Sequence, residues 1–185
     1  MCINLQKALQ RSITSLTLAL CLIIGLSAGA FAMDDDKNKT ITITNLMTEE
    51  LLAPVLIVPT RYDRKIFKDA YVSDEAEHQI LTGDPAMLVE VIGKKSKVAH
   101  GTDGPPKVLL APDKSVSIEV KAGRGQNLRV IAMVAPTIYK DHFVTGIINV
   151  SAGIPLTLDR FDIGHDEGRK TTEYLSSAAA LVTIE

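Results

Sequence analysis

The stretch TITITNLM, Thr40 to Met47, alternates threonine with isoleucine and is β-branched from Thr40 to Thr44. Successive side chains of a strand point to opposite faces, so a period of two gathers Ile41 and Ile43 on one side and the threonines on the other. Such a segment folds as a strand with one buried face, because helical geometry would scatter the isoleucines. The alternation returns in SVSIEV. LRVIAMVAP is an almost unbroken apolar run, FVTGIINV and IPLTLDRF follow at short spacing, and ALVTIE reads as a closing strand. Gly123 to Gly125 marks a turn. Short strands separated by turn signals, with little room for crossover helices, predict an all-β chain folded as an antiparallel β-sandwich.

The middle of the chain is less regular. LLAPVLIVPT is aliphatic but broken by Pro54 and Pro59, which suits an edge strand or one that ends at a bulge. One or two short helices belong in the connections that follow. Ser73 or Asp74 can cap the first, and Asp84-Pro85 can open the second, with proline near the first turn. AHGTDGPPK reads as a loop on its glycines and prolines.

Residues 1–32 have a weakly basic front, Lys7 and Arg11, an apolar centre from Leu16 to Leu26, and the small-residue ending Ala30-Phe31-Ala32. This is the layout of a secretory signal peptide cleaved after Ala32. The centre is short for a membrane span, which needs roughly 20 residues. Leu20 precedes Cys21 where a lipoprotein signal would carry a small residue. Cleavage removes both cysteines, Cys2 and Cys21, so the exported chain carries neither a disulfide nor a thiol nucleophile. Without Lys7 and Arg11 the net charge moves from −2 to about −4, and nothing suggests a basic face for nucleic acid. MDDDKNK, residues 33–39, reads as a flexible lead-in to a domain spanning 40–185.

Two places hold acids in an arrangement that could carry chemistry. FDIGHDEGRK sets Asp162 and Asp166 among Gly164 and Gly168, which supplies carboxylates and tight bends together, as a calcium loop needs. An EF-hand is excluded, since Glu167 stands where that loop requires glycine and the preceding segment is strand-like. APTIYKDHF places Asp141 just before a strand beginning at Phe143, so a hairpin return can bring Asp141 beside Asp162. Two close carboxylates are costly unless a cation neutralises them. On spacing alone, solvated turn acids remain the simpler reading. His142 and His165 each neighbour one of these acids and frame a rival, a metal-dependent hydrolase, although their spacing matches no zinc signature. His78 and His100 read as surface residues. There is no Gly-x-Ser-x-Gly elbow, phosphate-binding glycine loop or His-Glu-x-x-His motif, and the glycines of GRGQNLR suit a hairpin turn.

Taken in order, TITITNL, Phe67, LTGDPAMLVEVI, KSVSIEVKAGRGQNLRVIAMVAPT, DHFVTGI and FDIGHDEG resemble the spondin domain, the amino-terminal domain type of F-spondin and mindin. The last of these is similar to that family's Asp-Ala-Gly-Thr-Asp/Glu pattern. The resemblance implies an antiparallel β-sandwich similar to C2 domains, with calcium held by loop acids at one end. By position it assigns Asp162, Asp166 and Asp141 as metal ligands. Ile138-Tyr139-Lys140 lengthen the earlier loop, His165 replaces a threonine, and the segment between Gly168 and the final strand is short. The expectation is an exported, periplasmic or secreted, non-enzymatic calcium-binding recognition or adhesion domain. Its partner would be a surface, matrix, glycan or envelope component. A structural envelope module without an ion is the other alternative to the hydrolase. The exported product is expected to begin at Met33, which intact-mass measurement of the exported protein checks; the mass of the uncleaved chain would contradict it.

Overall fold

The computed structural model describes residues 37–123, 125–135 and 141–185, so the expected signal peptide and most of the lead-in lie outside the described residues. The strands are β1 (Lys37–Asn45), β2 (Leu51–Leu52), β3 (Val55–Pro59), β4 (Phe67–Lys68), β5 (Tyr71–Val72), β6 (Lys97–Ala99), β7 (Ser115–Ala122), β8 (Asn127–Ala135), β9 (His142–Asn149), β10 (Leu156–Asp162) and β11 (Glu173–Ile184). In β1 the alternation becomes one packed and one open face. Ile41 and Ile43 are fully buried, while the hydroxyls of Thr42 and Thr44 meet those of Ser117 and Ser115 on β7 at 2.8 and 2.7 Å. The strand starts earlier than Thr40, because Asn38 and Lys39 continue the ladder opposite Lys121 and Val120.

Every strand pair is antiparallel, and one hydrogen-bonded path runs β6–β3–β8–β9–β10–β11–β1–β7, with β2 added beside β8. At the ends of that path, β6 and β7 approach within 8 Å between Cα atoms, so the two packed layers are halves of one rolled sheet. This is the all-β, antiparallel class expected. Of the two expectations for β3, an edge strand or one that ends at a bulge, the edge is not met, since it pairs with β6 on one side and β8 on the other. Pro59 is tolerated because β6 pairs only with Val55 to Ile57, which leaves the end of β3 with a strand partner on one side alone, as at an edge.

The unbroken apolar runs in β3 and β8 follow from burial of both faces. Val55, Ile57, Val130, Ala132 and Val134 face the interior of the rolled sheet, joined by Val144, Ile148 and Leu158. Leu56, Val58, Ile131 and Phe143 face outward onto a helical layer that contributes Ala76, Ile80, Leu88 and Ile92. That layer is α1 (Asp74–Thr82) and α2 (Ala86–Ile92). Ser73 caps α1, its hydroxyl accepting the Ala76 N–H at 3.2 Å, and Gly83 ends it with φ 77°. Asp84 accepts the Ala86 N–H at 2.9 Å ahead of α2. Among the described residues no helix is long and apolar enough to cross a membrane.

β11 is longer than the ALVTIE segment that announced it. Its first half, Glu173 to Ala178, is exposed and shows no apolar alternation; burial begins at Ala179 and Ala180. Ile131→Ala is expected to cost about 2–5 kcal/mol in chemical denaturation, since it opens a cavity under the helices. Ile147→Ala, at a residue 44 % exposed, should change stability by no more than ~0.5 kcal/mol.

Candidate metal centre

β9 and β10 pair with Asp162 opposite His142 and Arg160 opposite Val144. Because alternate residues share a face, Leu156, Leu158, Arg160 and Asp162 follow one another along β10. The first two pack into the interior core, and the last two carry that face on to the end of the sheet. Asp141 immediately precedes β9. The carboxylates of Asp141 and Asp162 and a ring nitrogen of His142 therefore converge, each offering an atom within 4.8 Å of the others. Asp141 is 3 % exposed and His142 8 %.

Hydrogen bonds hold the acids in place. Asp141 Oδ2 accepts the His165 N–H at 2.9 Å, and the Asp141 carbonyl accepts the Ile163 N–H at 3.3 Å. Asp162 Oδ1 accepts the N–H of Gly164, two residues on. That tight turn needs Gly164, whose φ is 64°. The chain then closes a second turn, with the Gly168 N–H donating to the His165 carbonyl at 2.9 Å. Asp166 lies at the exposed tip of that turn and is not part of the Asp141–His142–Asp162 group. Of the three expected ligands, Asp141 and Asp162 meet, while Asp166 is carried outward by the bend between the two left-handed glycines. The expected long loop before Asp141, residues 136–140, lies outside the described residues.

Arg160 and Glu50 were not anticipated. Arg160 donates through Nη1 and Nη2 to the two Glu50 oxygens at 2.8 and 2.7 Å, a two-pronged pair that neutralises both. Nη2 also lies 2.7 Å from His142 Nδ1. A guanidinium only donates, so Nδ1 must accept and the proton of the neutral ring sits on Nε2. Nε2 faces Asp162 Oδ2 at 3.9 Å. A histidine that binds a metal through Nε2 needs its proton on Nδ1, usually donated to an acceptor. Arg160 opposes that arrangement, which leaves oxygen as the donor chemistry of the cluster. The two candidate histidines also diverge, since the His165 ring turns to Glu77 on α1, with Nδ1 3.1 Å from Oε1. An arginine at the inward parity of a strand was a readable signal; Glu50, remote in the chain, gave none.

Burial is the main reason the Asp162 carboxyl titrates above the ordinary range; Asp141 beside it pushes the same way, against the Gly164 N–H. Burial, then Arg160, pushes the His142 pKa down. Asp162 holds its proton more tightly folded than unfolded, so its contribution is fully present below about pH 3.9 and lost as pH rises through the raised value. His142 has the opposite sign: its contribution is full above about pH 6.5 and falls as pH drops toward the lowered value. In chelator-treated protein, Asp162→Asn should remove the loss of stability on raising pH from about 4, and His142→Gln the loss on lowering it from about 6.5. Thermal melting across that pH range checks both, and unchanged profiles would contradict the assignment. No family model matches the chain and no curated protein matches it, so the functional argument rests on the chemistry of this cluster.

Proposed function

We propose that the protein is an exported, non-enzymatic recognition module of the spondin type, in which calcium joins Asp141 and Asp162 and steadies the loops that carry them. One observation carries the reading: a buried and a half-buried carboxyl converge, while Arg160, on the same face of β10 as Asp162, is committed to Glu50 and His142. Two like charges in that position favour either a bound cation or a shared proton. The oxygen donors suit a hard ion better than zinc, because the Arg160 contact works against ligation through His142 Nε2. Calcium takes six to eight oxygens, so Asp141 and Asp162 would supply part of its shell and water or an acidic group of a partner the rest. When bound, calcium would supply charge neutralisation and a bridge to that partner. The chain's own residues position the carboxylates: Gly164 and His165 through their N–H groups, and Glu50 by absorbing the charge of Arg160. The partner would be a surface, matrix, glycan or envelope component.

A second reading is favoured by the closeness of the two carboxyls, which offer oxygens within 4.8 Å of each other. A shared proton can replace the ion, which would make this end of the sheet a purely structural cap. The hydrolase alternative has weaker support, since His142 and His165 do not converge on one point.

Calorimetric titration with calcium decides between them. At free calcium about 100 times its dissociation constant, binding adds about 2.7 kcal/mol and should raise Tm by roughly 5–10 °C. Asp162→Asn should abolish both the heat and the shift. Millimolar calcium that produces neither in the unsubstituted protein would overturn the calcium reading and leave the shared-proton cap.

A further inference from the structure

A cavity of about 410 Å3 opens where the two ends of the rolled sheet, β6 and β7, come together. Leu128 lines it, and Leu128 pairs with Ile148 on β9. His142 lies six residues away along β9, about 20 Å at the strand rise, so the cavity and the carboxyl cluster occupy opposite ends of the sheet. The floor is core: Ile57, Val120 and Leu128 are each almost fully buried. Around them stand Arg61, Lys94, Lys95, Lys97 and Lys121, with Glu119 as the one acid.

The chain carries more acids than bases, 22 to 20, yet five cations gather at this mouth. Its ion pairs elsewhere use Arg129, Arg160, Arg169 and Lys170; among the described residues none uses any of the five. Like charges around an apolar floor repel one another, and the low-dielectric walls focus their field on whatever enters. Four of the five are lysines, compact point charges that suit tetrahedral oxyanions; the forked guanidinium that grips a planar carboxylate comes only from Arg61. The volume falls within the ordinary range for small-molecule sites, which often form in barrel mouths, and the apolar floor suits a carbon skeleton. Glu119 can accept a hydrogen bond from a hydroxyl, and Gln126, whose Oε1 is taken by the Gly123 N–H at 3.0 Å, keeps its amide hydrogens to donate.

We propose that this cavity binds a sugar-sized anion bearing two or more phosphate or sulfate esters. The site stands apart from the carboxyl pair and does not depend on whether that pair holds calcium. The test is calorimetric titration of the full protein at low salt with fructose 1,6-bisphosphate in one arm, a disulfated disaccharide in another, and glucose as the neutral control. Saturable binding of either ester and none of glucose is expected; the arm that binds names the source of the anion. Lys97→Glu combined with Lys121→Glu should weaken binding by about tenfold or more, at unchanged Tm. Lys97→Arg should retain it, and Asp162→Asn should leave it untouched, which separates this site from the calcium reading. Lys65→Glu with Lys68→Glu, outside the cavity, should also have no effect. Absence of binding by both esters, or an equal loss from the Lys65 and Lys68 pair, would overturn the proposal.

Discussion

The antiparallel register between β9 and β10 is the constraint on which both the core and the candidate centre depend. With Asp162 opposite His142, the inward face holds Val144, Ile148, Leu156 and Leu158 along its length and Arg160, Asp162 and His142 at its end. A slip of β10 by one residue would exchange its two faces, sending Phe161 into the interior and Leu158 out of it. In the observed register Phe143 and Phe161 stack on the outer face, with ring centroids 5.6 Å apart. Hydrophobic packing on both faces thus sets the alignment, and the charged groups are positioned as a consequence.

Those charged groups finish the core at one end. Arg160 is half-buried, and its guanidinium is met by both Glu50 oxygens and by His142 Nδ1. Removing Glu50 would leave a partly buried cation without its counter-charge, which is far more costly than losing an exposed pair. The turn beyond β10 is tied to the helical layer in turn, as Lys170 reaches Asp74 at 3.0 Å and Glu77 at 2.6 Å, and His165 meets Glu77. The loop that carries Asp162 is therefore braced from the sheet below and from α1 beside it.

Much of the architecture was legible from local pattern. Alternation in Thr40 to Thr44 announced a one-sided strand, and Ser73 and Asp84 marked where the helices begin. Where both sides of a segment are buried, or neither is, the alternation disappears. β3, whose prolines suit an edge strand or one that ends at a bulge, is interior, and the exposed first half of β11 carries no pattern that marks a strand. At the centre, the hairpin argument that brings Asp141 near Asp162 needed only their positions relative to strand ends. Asp166 looked equivalent to Asp162 on spacing, but Asp162 is still on a strand while Asp166 sits beyond the bend at Gly164.

The all-β class, the approximate strands, the helix caps and the neighbourhood of Asp141 to Asp162 are each encoded in the order of nearby residues. Folding alone settles which faces β3 and β8 bury, that Glu50 neutralises Arg160, that Arg160 sets the proton on His142, and that lysines from separate segments share one cavity mouth. These depend on strand register and on the rolling of the sheet, which bring together residues far apart in the chain. Propensity is a local property, whereas the charge environment of a side chain is a sum over neighbours that only folding supplies.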